Sequence, residues 1–210
     1  MTTTVRTVAT PYGDARLHTD RSRRPVAALA LGHGAGGGVG SPDLAALASE
    51  LPRQGITVFR IEQPWRVAGK RVAPRPQALD LATVACLNAI RVRCPLVLGG
   101  RSAGARVACR LAAQMGAVGC LALAFPLRPP GSPDVTRLPE LLDVGLPTFV
   151  VQGERDRFGA PADFPESVDL AEVPDADHSF RILRRAVLSQ EETYALIVEA
   201  VVEWVTARVV

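Results

Sequence analysis

Lysine is almost missing from this chain. Lys70 is the only one, so the positive charge rests on arginine, and 24 basic against 21 acidic residues leave a net charge of just +3. That balance is too weak to hold a polyanion. No basic helix or interleaving of arginine with aromatics is present either, so nucleic acid is not an expected partner. The opening stretch, MTTTVRTVATPYGD, lacks the basic start and apolar middle of a secretory leader. No apolar run is long enough to cross a bilayer. Cysteine is sparse: Cys86, Cys94, Cys109 and Cys120 have no CxxC spacing and sit in apolar or helical stretches. Free thiols in a reducing compartment are expected, rather than disulfides or a metal site. These absences predict a soluble cytoplasmic protein with no membrane partner and no metal.

What is present is rhythm. At 210 residues the chain has room for one domain with a substantial core, spanning 1–210. Short apolar runs recur at 26–31, 56–61, 95–99, 118–125, 147–151 and 168–173. The central ones are continuously apolar, as strands buried on both faces should be. Helical patterns lie between them. Ser41-Pro42-Asp43 offers an N-cap, a proline in the first turn and an acid behind it, with Leu44, Leu47 and Leu51 on one face. Ala103, Val107, Leu111 and Met115 make an i, i+4 stripe, and Ser189-x-x-Glu192 reads as a capping box before a closing helix. Strand–helix alternation throughout predicts an α/β fold, a mostly parallel sheet with helices on both faces. Two loops break the rhythm: a basic, proline-rich one over 63–76 and another over 126–146 holding one short helix. Both follow strands, where ligands bind in open α/β sheets.

Chemistry concentrates around Gly100-Arg101-Ser102-Ala103-Gly104, a G-x-S-x-G between a buried-strand run and a helix. That context is the one a nucleophile elbow needs: a sharp turn with small neighbours, and free N–H groups of a helix start beside the serine. A serine needs a base, and the base an acid to orient it. Of the three histidines, His178 in PDADHSF lies after the last strand-like run, whereas His18 reads as a surface residue. Asp156 in QGERDRFG lies just past a strand end and is the expected acid, with Glu154 the near competitor. Asp177 is expected to shape its own turn. The glycine-dense GHGAGGGVGSPD, 32–43, is expected to supply backbone N–H groups for an oxyanion. The N–H of Ala35 would then pair with that of Ala103. His33, Gly34, Gly36 and Trp65 are expected at the substrate, His33 chiefly by orienting the loop. A phosphate loop is the rival for this segment, but G-x-x-x-x-G-K-[ST] is missing and the formal G-x-G-x-x-G has no clear ribose partner.

In this order, HGAGGG, GGRSAG, QGERD and DADHSF resemble a small α/β-hydrolase. The likeness points to the dienelactone-hydrolase-related branch, and to a compact group similar to the hydrolase-like domain of a eukaryotic chromatin-complex subunit. It runs from about Val26 to the closing helix. The resemblance implies an α/β-hydrolase fold without a large cap domain, a Ser102–Asp156–His178 triad, and hydrolysis of a small acyl ester or thioester without a cofactor. Dienelactone hydrolases proper carry cysteine at the nucleophile position, so their substrate does not carry over. Two alternatives stay open: a catalytically silent interaction module, and an acyltransferase or perhydrolase using the same triad. Arg101 is read as stiffening the elbow, with carboxylate binding the other choice. Monomer and homodimer are equally compatible with the sequence.

Overall fold

The computed structural model describes residues 2–132 and 134–209. Each apolar run becomes a strand, its ends shifted by one or a few residues. In chain order these are β3 (Ala27–Gly32), β4 (Ile56–Glu62), β5 (Leu96–Arg101), β6 (Gly119–Leu123), β7 (Thr148–Gly153) and β8 (Asp169–Val173). Two further strands precede them, β1 (Thr4–Thr10) and β2 (Gly13–Asp20), which form an antiparallel hairpin. The sheet order is β1-β2-β4-β3-β5-β6-β7-β8, with β2 antiparallel to β4 and everything from β4 to β8 parallel. β3 and β6 are buried along their whole length, while edge strand β8 is only partly covered. That difference is why the central runs are continuously apolar and DLAEV is not.

Helices cover both faces. On one, α1 (Pro42–Glu50) and α6 (Gln190–Val209) pack Leu44, Leu47, Ile197, Val201 and Trp204 against β3 to β7. On the other, α3 (Pro76–Ala89), α4 (Ala103–Leu111) and the short α5 (Leu138–Leu142) close a second core containing Phe125, Leu98 and Cys120. A further short helix, α2 (Pro64–Val67), lies in the 63–76 loop.

Some local expectations need correcting. Ser41 stands at the N-cap position of α1, but its hydroxyl makes no capping bond. The stripe expected through Met115 outruns its helix, because α4 ends at Leu111 and the chain turns before Met115. The capping box at Ser189 does form, with Ser189 N–H donating to Glu192 and Glu192 N–H to Ser189 Oγ at 2.7 and 3.2 Å. Cys86, Cys109 and Cys120 are buried free thiols, while Cys94 is half-buried. No helix among the described residues is long and apolar enough to cross a membrane.

Candidate active site

The parallel strands deliver their carboxyl ends to one rim of the sheet, and Ser102, Asp156 and His178 stand beyond β5, β7 and β8 there. Ser102 has φ 53° and ψ −109°, a strained conformation for a residue with a side chain. The turn closes because its flanks are bare. A Cβ on Gly100 would lie 2.5 Å from the Gly104 carbonyl carbon, and one on Gly104 would run into the Gly32 carbonyl. Both glycines of the motif thus let α4 start directly against β3 and β5, which aims the serine outward.

The three side chains form one line. Asp156 Oδ2 lies 2.7 Å from His178 Nδ1, and His178 Nε2 lies 2.9 Å from Ser102 Oγ. A carboxylate only accepts, so Nδ1 carries the proton and Nε2 is left to accept from the serine hydroxyl. Asp156 is 3 % exposed, and its other bonds fix it: Oδ1 accepts from Phe158 N–H at 2.9 Å and Oδ2 from Gln152 Nε2 at 3.0 Å. Gln152 also donates to the carbonyls of Gly159 and Phe125. Sequence reasoning passed over Gln152, although it opens the same QGERD. The edge of Phe158 meets the His178 ring at 4.6 Å between centroids. Glu154, the competitor, points elsewhere and accepts from Asp175 N–H at 2.6 Å. Asp177 shapes its turn by accepting from the N–H groups of Ser179 and Arg181. His18 is half-buried and lies 3.0 Å from Glu62, rather than being a free surface residue.

The glycine loop contributes backbone. Neither Ala35 N–H nor Ala103 N–H is spent on another partner among the described residues, and both residues line the cavity over Ser102. His33 explains why Ala35 faces that way. Gln63 N–H donates to His33 Nε2 at 3.1 Å, so Nδ1 carries the proton and donates to the Gly34 carbonyl at 2.9 Å. In a planar trans peptide the C=O and the following N–H point opposite ways, so anchoring Gly34 C=O inward turns Ala35 N–H outward. Burial pulls the His33 pKa below its ordinary value, which keeps the ring neutral for this task. Gly34 packs directly on Ser102, where a Cβ would lie 3.4 Å from that of the serine. His33 itself does not line the cavity. Nor does Trp65, which is buried beneath it at 5.7 Å from the His33 ring. The expectation that both meet substrate is corrected: an apolar indole at the start of α2 gains more from the core than from an open cleft. Of the four residues expected at the substrate, Gly36 is the one that lines the cavity.

Arg101 ties these parts together. It is 8 % exposed and donates from Nη2 to the His178 carbonyl at 2.6 Å. Its Nε stands 3.3 Å from Asp43 Oδ2, not aligned for a hydrogen bond, so the pair is held by charge. Burial pushes the Asp43 carboxyl up, and the Arg101 guanidinium works against that rise. One side chain therefore braces the elbow, the base loop and α1.

A family model described as an alpha/beta hydrolase domain matches residues 25–206. The chain belongs to the α/β-hydrolase family. Solved structures agree on the fold of this hydrolase-family chain. A serine hydrolase without a lid from Xanthomonas campestris is 21 % identical, with a TM-score of 0.75 over 96 % of this chain and 94 % of that one. The esterase domain of a Rhodothermus marinus protein is 15 % identical, with a TM-score of 0.74 over the whole of both chains. A serine hydrolase homologue from Coxiella burnetii gives 16 %, 0.74, and 95 % and 98 %. None of the curated proteins matches the sequence.

Proposed function

We propose that this α/β-hydrolase-family chain is a serine hydrolase cleaving a carboxylic ester or thioester of a small substrate. The observation that carries this is the unbroken Asp156–His178–Ser102 line, ending at a strained serine beside two unspent N–H groups. His178 Nε2 takes the hydroxyl proton as Ser102 Oγ attacks the carbonyl carbon. The N–H groups of Ala35 and Ala103 hold the oxyanion, each worth about 3 kcal/mol in such sites. His178 then gives its proton to the departing alcohol or thiol, leaving an acyl-serine. Water repeats the sequence: His178 takes its proton, its oxygen attacks the acyl carbon, and Ser102 recovers the proton. Asp156 holds the imidazole in the working tautomer and stabilises it when charged. Residues and water account for every bond and proton in these steps.

The reading extends to a small acyl substrate in the cytoplasm, and to a place near the dienelactone-hydrolase-related branch on the strength of the order of the four motifs. A fluorophosphonate, whose phosphorus Ser102 Oγ would attack with loss of fluoride, tests it. The wild type should be labelled and Ser102→Ala should not. Equal labelling of the two, or none of either, would favour a silent interaction module. With labelling established, product analysis with added alcohols separates hydrolysis from acyl transfer.

A further inference from the structure

The cavity over Ser102 has a volume of about 880 Å³, and its wall is far from neutral. Five arginines line it (Arg66, Arg101, Arg106, Arg137 and Arg181) against two carboxylates, Asp43 and Glu62. That excess is as large as the net charge of the whole chain, so the imbalance of the molecule is gathered at one place.

Pairing sorts these groups. Arg101 faces Asp43, and Arg106 is bonded to Glu140 at 2.7 Å. Glu62 is engaged by His18 at 3.0 Å and Arg16 at 3.9 Å. Arg66, Arg137 and Arg181 have no carboxylate partner among the described residues. They approach the cavity from three different loops, after β4, β6 and β8. Each is also placed. The Arg66 guanidinium lies over Gly38 of the glycine loop. Arg137 is half-buried and donates from Nη1 to the Pro126 carbonyl at 3.2 Å. The backbone N–H of Arg181 is bonded to Asp177, next to the base. Burial, and then the neighbouring Arg106, pull the Arg137 pKa below its ordinary value. A cation so placed, with its nearest carboxylate already taken, is one an incoming anion would relieve.

Building on the serine-hydrolase reading, we infer that the cleft takes acyl substrates bearing a negative charge, a carboxylate or a phosphate, held by Arg66, Arg137 and Arg181. Arginine suits both anions, because its planar donors match two oxygens at once. An open cleft with an excess of positive charge also draws such substrates in from solution.

The rate of Ser102 labelling by three alkyl fluorophosphonates of equal length, tipped with methyl, carboxylate or phosphate, tests this without knowing the natural ester. An anionic tip should label at least about tenfold faster than methyl at low ionic strength, and the advantage should shrink in about 0.5 M salt. The faster anionic arm identifies the anion. Arg66→Met, Arg137→Met and Arg181→Met keep the stems and remove the charges. The ratio of anionic to neutral rates should fall in each and approach one in the triple variant, whatever happens to the absolute rates. Equal rates for all three probes on the wild type, or an unchanged ratio in the triple variant, would overturn this inference alone. Failure of every probe to label Ser102 would remove the serine-hydrolase reading and this inference with it.

Discussion

The two walls of the cleft are built on opposite plans. On the β5–β7–β8 side stand the three side chains proposed to carry the chemistry, each fixed by bonds to its neighbours in the line. On the β3 side the proposed working group is a backbone N–H, that of Ala35, and side chains hold the loop from behind: His33 through the Gly34 carbonyl, Arg60 through the Val39 carbonyl at 2.8 Å. The first wall depends on residue identity. The second depends on peptide orientation, which several residues share in setting. Damage should therefore be all-or-none on one side and graded on the other.

The largest effects belong to the side-chain wall. Ser102→Ala should abolish probe labelling and lower ester hydrolysis by about 10⁶-fold in kcat, the scale seen when a triad nucleophile is lost. Asp156→Asn should cost about 10⁴-fold, because an amide facing Nδ1 favours the wrong imidazole tautomer. Thermal unfolding should stay near that of the wild type for Ser102→Ala, so that a rate loss accompanied by a collapsed Tm would argue for a folding defect instead. If Asp156→Asn hydrolysed the best ester of a graded panel nearly as fast as wild type, the tautomer role would be lost.

Legibility follows the same division. The three side chains of the proposed triad could be placed together from sequence because each needs one residue type at one place, a strand end in a set order. The central strands from β3 to β7 were readable because burial on both faces leaves an apolar run, and the edge strand β8 because its apolar residues recur in the same rhythm. The stretch around His18 reads as hairpin-like, but its strand bounds and its place in the sheet were not readable, since an exposed edge tolerates polar residues and the pairing with β4 is long-range. Any residue supplies an N–H, so GHGAGGG announces closeness to a ligand but not which peptide faces it. Asp43 looked like an ordinary first-turn acid, and nothing local shows that it is 1 % exposed with Arg101, distant in sequence, set against it. Trp65 misled for the same reason: its packing on His33 is tertiary.

The brace between the walls comes next in size, and it acts on stability first. Asp43→Asn strands a buried guanidinium, which typically costs about 3 kcal/mol. In a chain of this length that is a fall of roughly 10 °C in Tm. Replacing both partners, Asp43→Leu with Arg101→Met, should recover most of the stability, because an apolar pair needs no counter-ion. The double variant still lacks the tether to the His178 carbonyl, so its kcat should remain about tenfold low. Full recovery of both would show that Arg101 serves packing alone.

Smaller still is the graded loss expected behind the glycine loop. His33→Leu removes the shorter of two bonds on the Gly34 carbonyl, leaving Gly37 N–H at 3.3 Å, and Ala35 N–H would then point at the oxyanion for only part of the time. Since one complete donor is worth about 3 kcal/mol, a partial loss should lower kcat by about 10 to 100-fold with little change in KM. A rise in KM at constant kcat would instead mean that His33 shapes substrate binding.

The smallest effect is on stability against pH, and its sign is fixed by burial of His33. In the unfolded chain an imidazole takes its proton near pH 6.5, whereas in the fold it does so only at lower pH, because burial first, and Arg66 further down, oppose the charge. Between those two values the unfolded state holds more protons, so stability rises with pH. The contribution is fully present above about pH 6.5 and is lost as pH falls through the folded value, at no more than about 1.4 kcal/mol per pH unit. Urea unfolding at pH 5.5 and pH 7.5 should therefore separate wild type from His33→Asn, which can still bond Gly34 but does not titrate. The wild type should lose more stability on acidification than the variant does. Identical losses would mean that His33 is protonated without penalty. The Gly34 anchor would then hold the oxyanion peptide with a charged ring as readily as with a neutral one.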